Sequence, residues 1–71
     1  MHRETVASEV LRGVGYDPDR KILELEFTSG EVYRYFDVPP DLHAGLMTAD
    51  SHGAFFAGHI RDAGFEFERI G

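Results

Sequence analysis

Cysteine is absent from this chain. That single absence excludes disulfide staples and thiolate metal sites together. No apolar run approaches the roughly 18 residues that a membrane helix needs, and no secretory leader is visible, so the expected compartment is the cytoplasm. There is no repeat, linker or low-complexity segment. Basic charge is scarce as well: the seven Lys and Arg are Lys21 and six scattered arginines, against 13 Asp and Glu, for a net charge of −6. Long nucleic acid is bound by releasing counterions to several clustered cations, and no such cluster exists. A short anionic ligand needs only two or three arginines and stays possible.

What is present is apolar and aromatic. Hydrophobic residues make up 42%, with six Phe and three Tyr, which is enough to fold. At 71 residues the chain is one domain. A domain of that size buries only about 60% of its unfolded surface, so packing or association must replace the missing staples.

The order of elements follows from periodicity. Glu9 to Tyr16 reads as a first strand in which Gly13 and Gly15 signal a bulge or the close approach of another backbone. Asp17-Pro18-Asp19-Arg20 is a turn. Ile22 to Thr28 alternates, with Leu23, Leu25 and Phe27 on one face and Ile22, Glu24 and Glu26 on the other. Glu31 to Val38 is a third strand, ended by Pro39 and Pro40. Pro40 opens a short helix to about Ala49. Ser51 caps a second, from about Ser51 to Arg61, whose apolar stripe is Phe55, Phe56, Ile60 and Ala63. Gly64 stops it. The tail Phe65 to Ile70 either adds an edge strand or docks Phe65 and Phe67. The expected fold is α+β: a small antiparallel three-stranded meander with two short helices on one face.

The loop before the third strand decides which way Tyr33 and Tyr35 point. A two-residue loop, Ser29-Gly30, would put Arg34 on the core side. A three-residue loop, Thr28-Ser29-Gly30 with Gly30 left-handed, pairs Phe27 with Glu31, Leu25 with Tyr33 and Leu23 with Tyr35. This second register sets Arg34 across from acids rather than in the core, and is physically better. Both tyrosines then face inward. Ile22, Val32 and Phe36 share the outer face, where three large apolar residues suggest an association surface or cover by the termini.

An ordered set of residues resembles the KTSC domain, a short module named after the C-terminus of certain lysyl-tRNA synthetases and also found as a stand-alone bacterial protein. The set is Ser8, Val10, Val14-Gly15-Tyr16-Asp17, Leu23, Leu25, Phe27, Gly30, Tyr33-Arg34-Tyr35, Val38-Pro39, Ala49, Ser51, Gly53, Phe56, Ile60 and Arg61. The resemblance implies a family of unknown function with a suggested role in RNA binding.

Other chemistry is weaker. Glu24 and Glu26 are expected on an open sheet face, where carboxylates are solvated rather than catalytic. His52 and His59 are two turns apart, too far for shared ligation at ~1.5 Å rise per residue, and no metal motif is present. They are candidates for a pH-dependent stability or association. Asp50, Ser51 and His52 are adjacent, but adjacency is not triad geometry. Capping explains Ser51 better, although the helix start with small Gly53 can admit a phosphate. Arg61 is expected at a helix C-terminus, answering the dipole or contacting an anion. No catalytic residue, cofactor or metal is expected. The leading expectation is a non-catalytic binding module for a nucleotide or RNA, using Tyr33, Arg34, Tyr35, Ser51, Gly53 and Arg61. The alternative is a protein-interaction or homo-oligomerisation module using Ile22, Val32 and Phe36.

Overall fold

The computed structural model describes residues 1–71. Five strands form one antiparallel sheet in sequence order: β1 Glu4–Thr5, β2 Leu11–Asp17, β3 Ile22–Phe27, β4 Val32–Tyr35 and β5 Phe67–Arg69. Two helices, α1 Pro40–Thr48 and α2 His52–His59, separate β4 from β5. The class is α+β as expected, but the sheet has five strands rather than three. The central meander was legible because its strands alternate. Glu4–Thr5 carries no apolar alternation and both residues are exposed.

The register of β3 and β4 follows the three-residue loop. Phe27 N–H donates to Glu31 O at 2.9 Å, and Gly30 has φ +102°, a conformation costly for any side chain. Leu23 faces Tyr35, Leu25 faces Tyr33, and Glu24 faces Arg34. Turn chemistry therefore fixes which side each aromatic takes.

β2 begins two residues later than expected, because Ser8 Oγ accepts from Val10 N–H and Leu11 N–H and holds the lead-in as a turn. An irregularity between Leu11 and Gly13 lets Leu11 and Val14 both enter the core. The other half of the glycine reading also holds. A Cβ on Gly15 would lie 2.6 Å from His2 O, and one on Gly13 would meet Arg3 and Glu4. The two glycines open a trough on the outer side of β2 in which the N-terminal arm lies.

Pro40 begins α1, and Ser51 caps α2 by accepting from Ala54 N–H at 3.2 Å. α2 ends at His59, short of the expected Arg61. Arg61–Ala63 form a separate 3-10 turn, closed by Gly64 at φ +86°. The core is Leu11, Val14, Leu23, Leu25, Tyr35, Val38, Leu46, Phe56 and Ile60. The helices thus cover the face that carries Leu23, Leu25 and Tyr35. No helix is long and apolar enough to cross a membrane.

Candidate functional site

Many of the motif residues hold the fold together. Tyr16 hydroxyl donates to Val38 O and joins the first long strand to the Val-Pro corner. Burial, with Asp17 nearby, pushes that phenol further up, so it remains a neutral donor. Asp17 accepts from Asp19 and Arg20 N–H and makes the turn. A Cβ on Gly53 would lie 2.9 Å from Val10, so this glycine admits the Ala7–Val10 loop rather than open solvent alone.

The six candidate ligand residues fall in three places. Tyr33, Tyr35 and Arg61 meet in one cleft of about 330 Å³ on the inner side of the sheet, walled also by Phe27, Phe56 and Phe67, with Ser29 and Glu31 at its rim. Ser51 and Gly53 line a second depression beside Ser8 and Val10. Arg34 lies on the opposite side of the sheet.

The aromatic cleft is built by strand alternation. Tyr35 faces Phe67, and Tyr33 faces Arg69. The Tyr33 and Phe67 rings are 5.9 Å apart, and Tyr35 and Phe67 5.4 Å. Phe27 meets Tyr33 edge-on at 5.7 Å. Such tilted and edge-on pairs are favourable aromatic contacts. Tyr35 is buried and Tyr33 half-buried, whereas Phe67 is 60% exposed. Burial raises the Tyr35 hydroxyl pKa, Tyr33 adds to this, and the Arg61 charge opposes it. Arg61 is largely solvent-facing and its Nε lies 3.2 Å from Asp62. The cleft therefore offers flat apolar surface with a cation at its edge. Phe67 is the lining residue that was not expected at the site. Its signal is the alternation in the tail Phe65 to Arg69.

The outer side is organised around one carboxylate. Glu24 is only 2% exposed. Arg3 donates to its Oε2, and Arg34 Nε donates to its Oε1 at 2.8 Å. Burial alone would raise its pKa, but the hydrogen bonds and charges of Arg34 and Arg3 outweigh it and hold the carboxyl below its usual value. The expectation of a solvated Glu24 is thus corrected: the N-terminal arm buries it. Glu26 lies within 4 Å of Arg3 and Arg12. Ile22, Val32 and Phe36 are half-buried, with Gly71 packed on Val32 and Met1 beside Ile22.

His52 Nδ1 lies 2.7 Å from Leu46 O, and His59 packs against Phe55 at 4.4 Å. His43 stacks on Tyr16 at 4.6 Å. Burial lowers its pKa, and Glu4 partly offsets this. No three His, Asp or Glu side chains gather closely enough to share a metal ion.

Sheet, helices and motif together define a small α+β domain of the KTSC class. The KTSC domain model matches residues 7–65, and the chain belongs to that family. It is similar to an uncharacterised protein of Stutzerimonas stutzeri, 43% identical over 70 residues and covering 99% of each chain. It is also similar to part of a lysine–tRNA ligase of Nostoc punctiforme, 38% identical over 61 residues, which is 86% of this chain and 11% of the ligase. A KTSC domain protein from Yersinia pestis, solved by crystallography, superposes with a TM-score of 0.90 at 39% identity, covering 99% of this chain and 97% of that one.

Proposed function

We propose that this domain is a non-catalytic binding module, and that its inner aromatic cleft takes an unpaired nucleobase of a nucleotide or short RNA. One observation carries the reading: Tyr33, Phe67 and Arg61 share a cleft that the helices leave open. A nucleobase offers a flat ring to the aromatics and a phosphate to the arginine. The occurrence of the module within a lysine–tRNA ligase supports the same direction. The net charge of −6 argues for a short ligand rather than a long duplex.

In this reading the candidate residues take different roles. Tyr33 and Arg61 contact ligand, with Phe67 as the exposed stacking surface. Tyr35 supports them from beneath. Arg34 is engaged by Glu24, and Ser51 and Gly53 serve the helix start. Titration of the protein with uridine and adenosine monophosphates and a short single-stranded RNA tests this. Phe67→Ala should weaken binding by roughly 1–3 kcal/mol. Arg61→Ala should weaken it and flatten its salt dependence. Arg34→Ala should leave affinity unchanged in protein that remains folded. Absence of binding at low salt rejects the proposal.

A further inference from the structure

The last strand, β5, is an open edge. It pairs with β4 alone, and all three of its residues are exposed. Phe36 N–H donates to Glu66 O at 2.9 Å, and Ile70 N–H donates to Val32 O at 2.8 Å. The even-numbered residues of this segment therefore turn their backbone groups toward β4. The N–H and C=O groups of Phe67 and Arg69 point to the free edge. Natural proteins blunt such an edge with a short strand, charged side chains, proline, a bulge or a covering element. Here the strand is short and its charges are Glu66, Glu68 and Arg69, which bar a like-charged strand but leave the edge open to a basic one. Phe67, 60% exposed, and Ile70, 42% exposed, offer apolar surface between them.

The side chains select the partner. Glu68 faces Arg34, so Glu66 and Glu68 take the outer side, while Phe67 and Arg69 take the inner side. Neither glutamate has an ion-pair partner. A second copy is a poor occupant. A two-fold antiparallel pairing centred on Glu68 sets two glutamates face to face. Centring it on Phe67 opposes Glu66 to Glu68, and centring it on Arg69 opposes two arginines. Like charges directly across a sheet are destabilising.

We infer that β5 is a docking edge for an extended segment of another protein in which lysine or arginine alternates with apolar residues. The segment adds a sixth strand. Its backbone pairs with Phe67 and Arg69, its cations meet Glu66 and Glu68, and its apolar side chains lie beside Phe67. This goes beyond the nucleotide reading: the two share Phe67, whose ring lines the cleft, but the edge is recognised through the Phe67 and Arg69 backbone and through Glu66 and Glu68, which the cleft does not use.

The test uses the isotope-labelled protein and a synthetic peptide of about eight residues alternating lysine and valine, which at strand rise exceeds the edge. Amide shifts should change at residues 66–70 and in β4, with an affinity of about millimolar or tighter that falls with salt. Glu66→Lys and Glu68→Lys, each checked for an intact amide spectrum, should weaken binding about tenfold together. Arg61→Ala should leave peptide binding intact, which separates this site from the nucleotide cleft. Silence at residues 66–70, an equal response to a glutamate–valine peptide, or self-association through this edge would each overturn the inference.

Discussion

Glu24 joins the N-terminal arm to the middle of the sheet through one side chain. It draws Arg3 from the N-terminal arm and Arg34 from β4 to a carboxylate that water scarcely reaches. Replacing it with glutamine leaves two arginines without their shared anion. The cost should be about 1–3 kcal/mol, below that of a fully buried pair because both arginines reach solvent. A domain of this size has little stability to spare, so urea denaturation will register the loss. The pH dependence has a defined sign. Glu24 and His43 both have lowered folded pKa values, so the unfolded chain binds protons more readily at each. Their contributions are present above the ordinary values and are lost as pH falls through the folded ones. Thermal melts should therefore weaken first below the ordinary histidine value of about 6.5 and again in the glutamate range. Glu24→Gln should shrink the second step and leave the first in place. A midpoint unchanged between pH 8 and strongly acid solution contradicts this.

At the scale of elements, the sheet was legible where local rules agree. The alternation in Ile22–Phe27 and the glycine loop fixed the β3–β4 register, and with it the inward tyrosines. The edges were harder. Residues 1–6 show no apolar periodicity, and β1 exists because Gly13 and Gly15 open space and Glu24 supplies a charge. These are long-range causes that the arm's own residues do not display. The early end of α2 is similar: Ile60 turns into the core with φ −119°, which no propensity encodes. The aromatic cleft was half readable. Tyr33, Tyr35 and Arg61 were identified, but Phe67 entered only once β5 had paired with β4. Gly15→Val tests the trough. The branched side chain would collide with His2 O, so hydrogen exchange should lose protection at Val6, whose N–H donates to Arg12 O at 3.0 Å. The β3–β4 amides should stay protected. Equal protection at Val6 in both proteins contradicts the account.

Across the whole molecule, labour is divided between the two sides of one sheet. The outer side is closed by the N-terminal arm, the C-terminal Gly71 and a buried ion network. The inner side is filled by helices over β2 and β3, and left aromatic and open toward β5. Much of the motif that defines the family maintains this arrangement: Ser8, Tyr16, Asp17, Ser51 and Gly53 all have structural work. Of that motif, Arg61 and the exposed edge of Tyr33 are left without such work, and they lie together beside Phe67, which follows the matched residues 7–65. The most direct measurement is the proton spectrum of uridine monophosphate mixed with the protein, read for intermolecular contacts. Contacts from the base protons to the rings of Tyr33 and Phe67, with upfield ring-current shifts, are the predicted result. Contacts confined to the Ser51–Gly53 helix start, or none at saturating ligand, would contradict it.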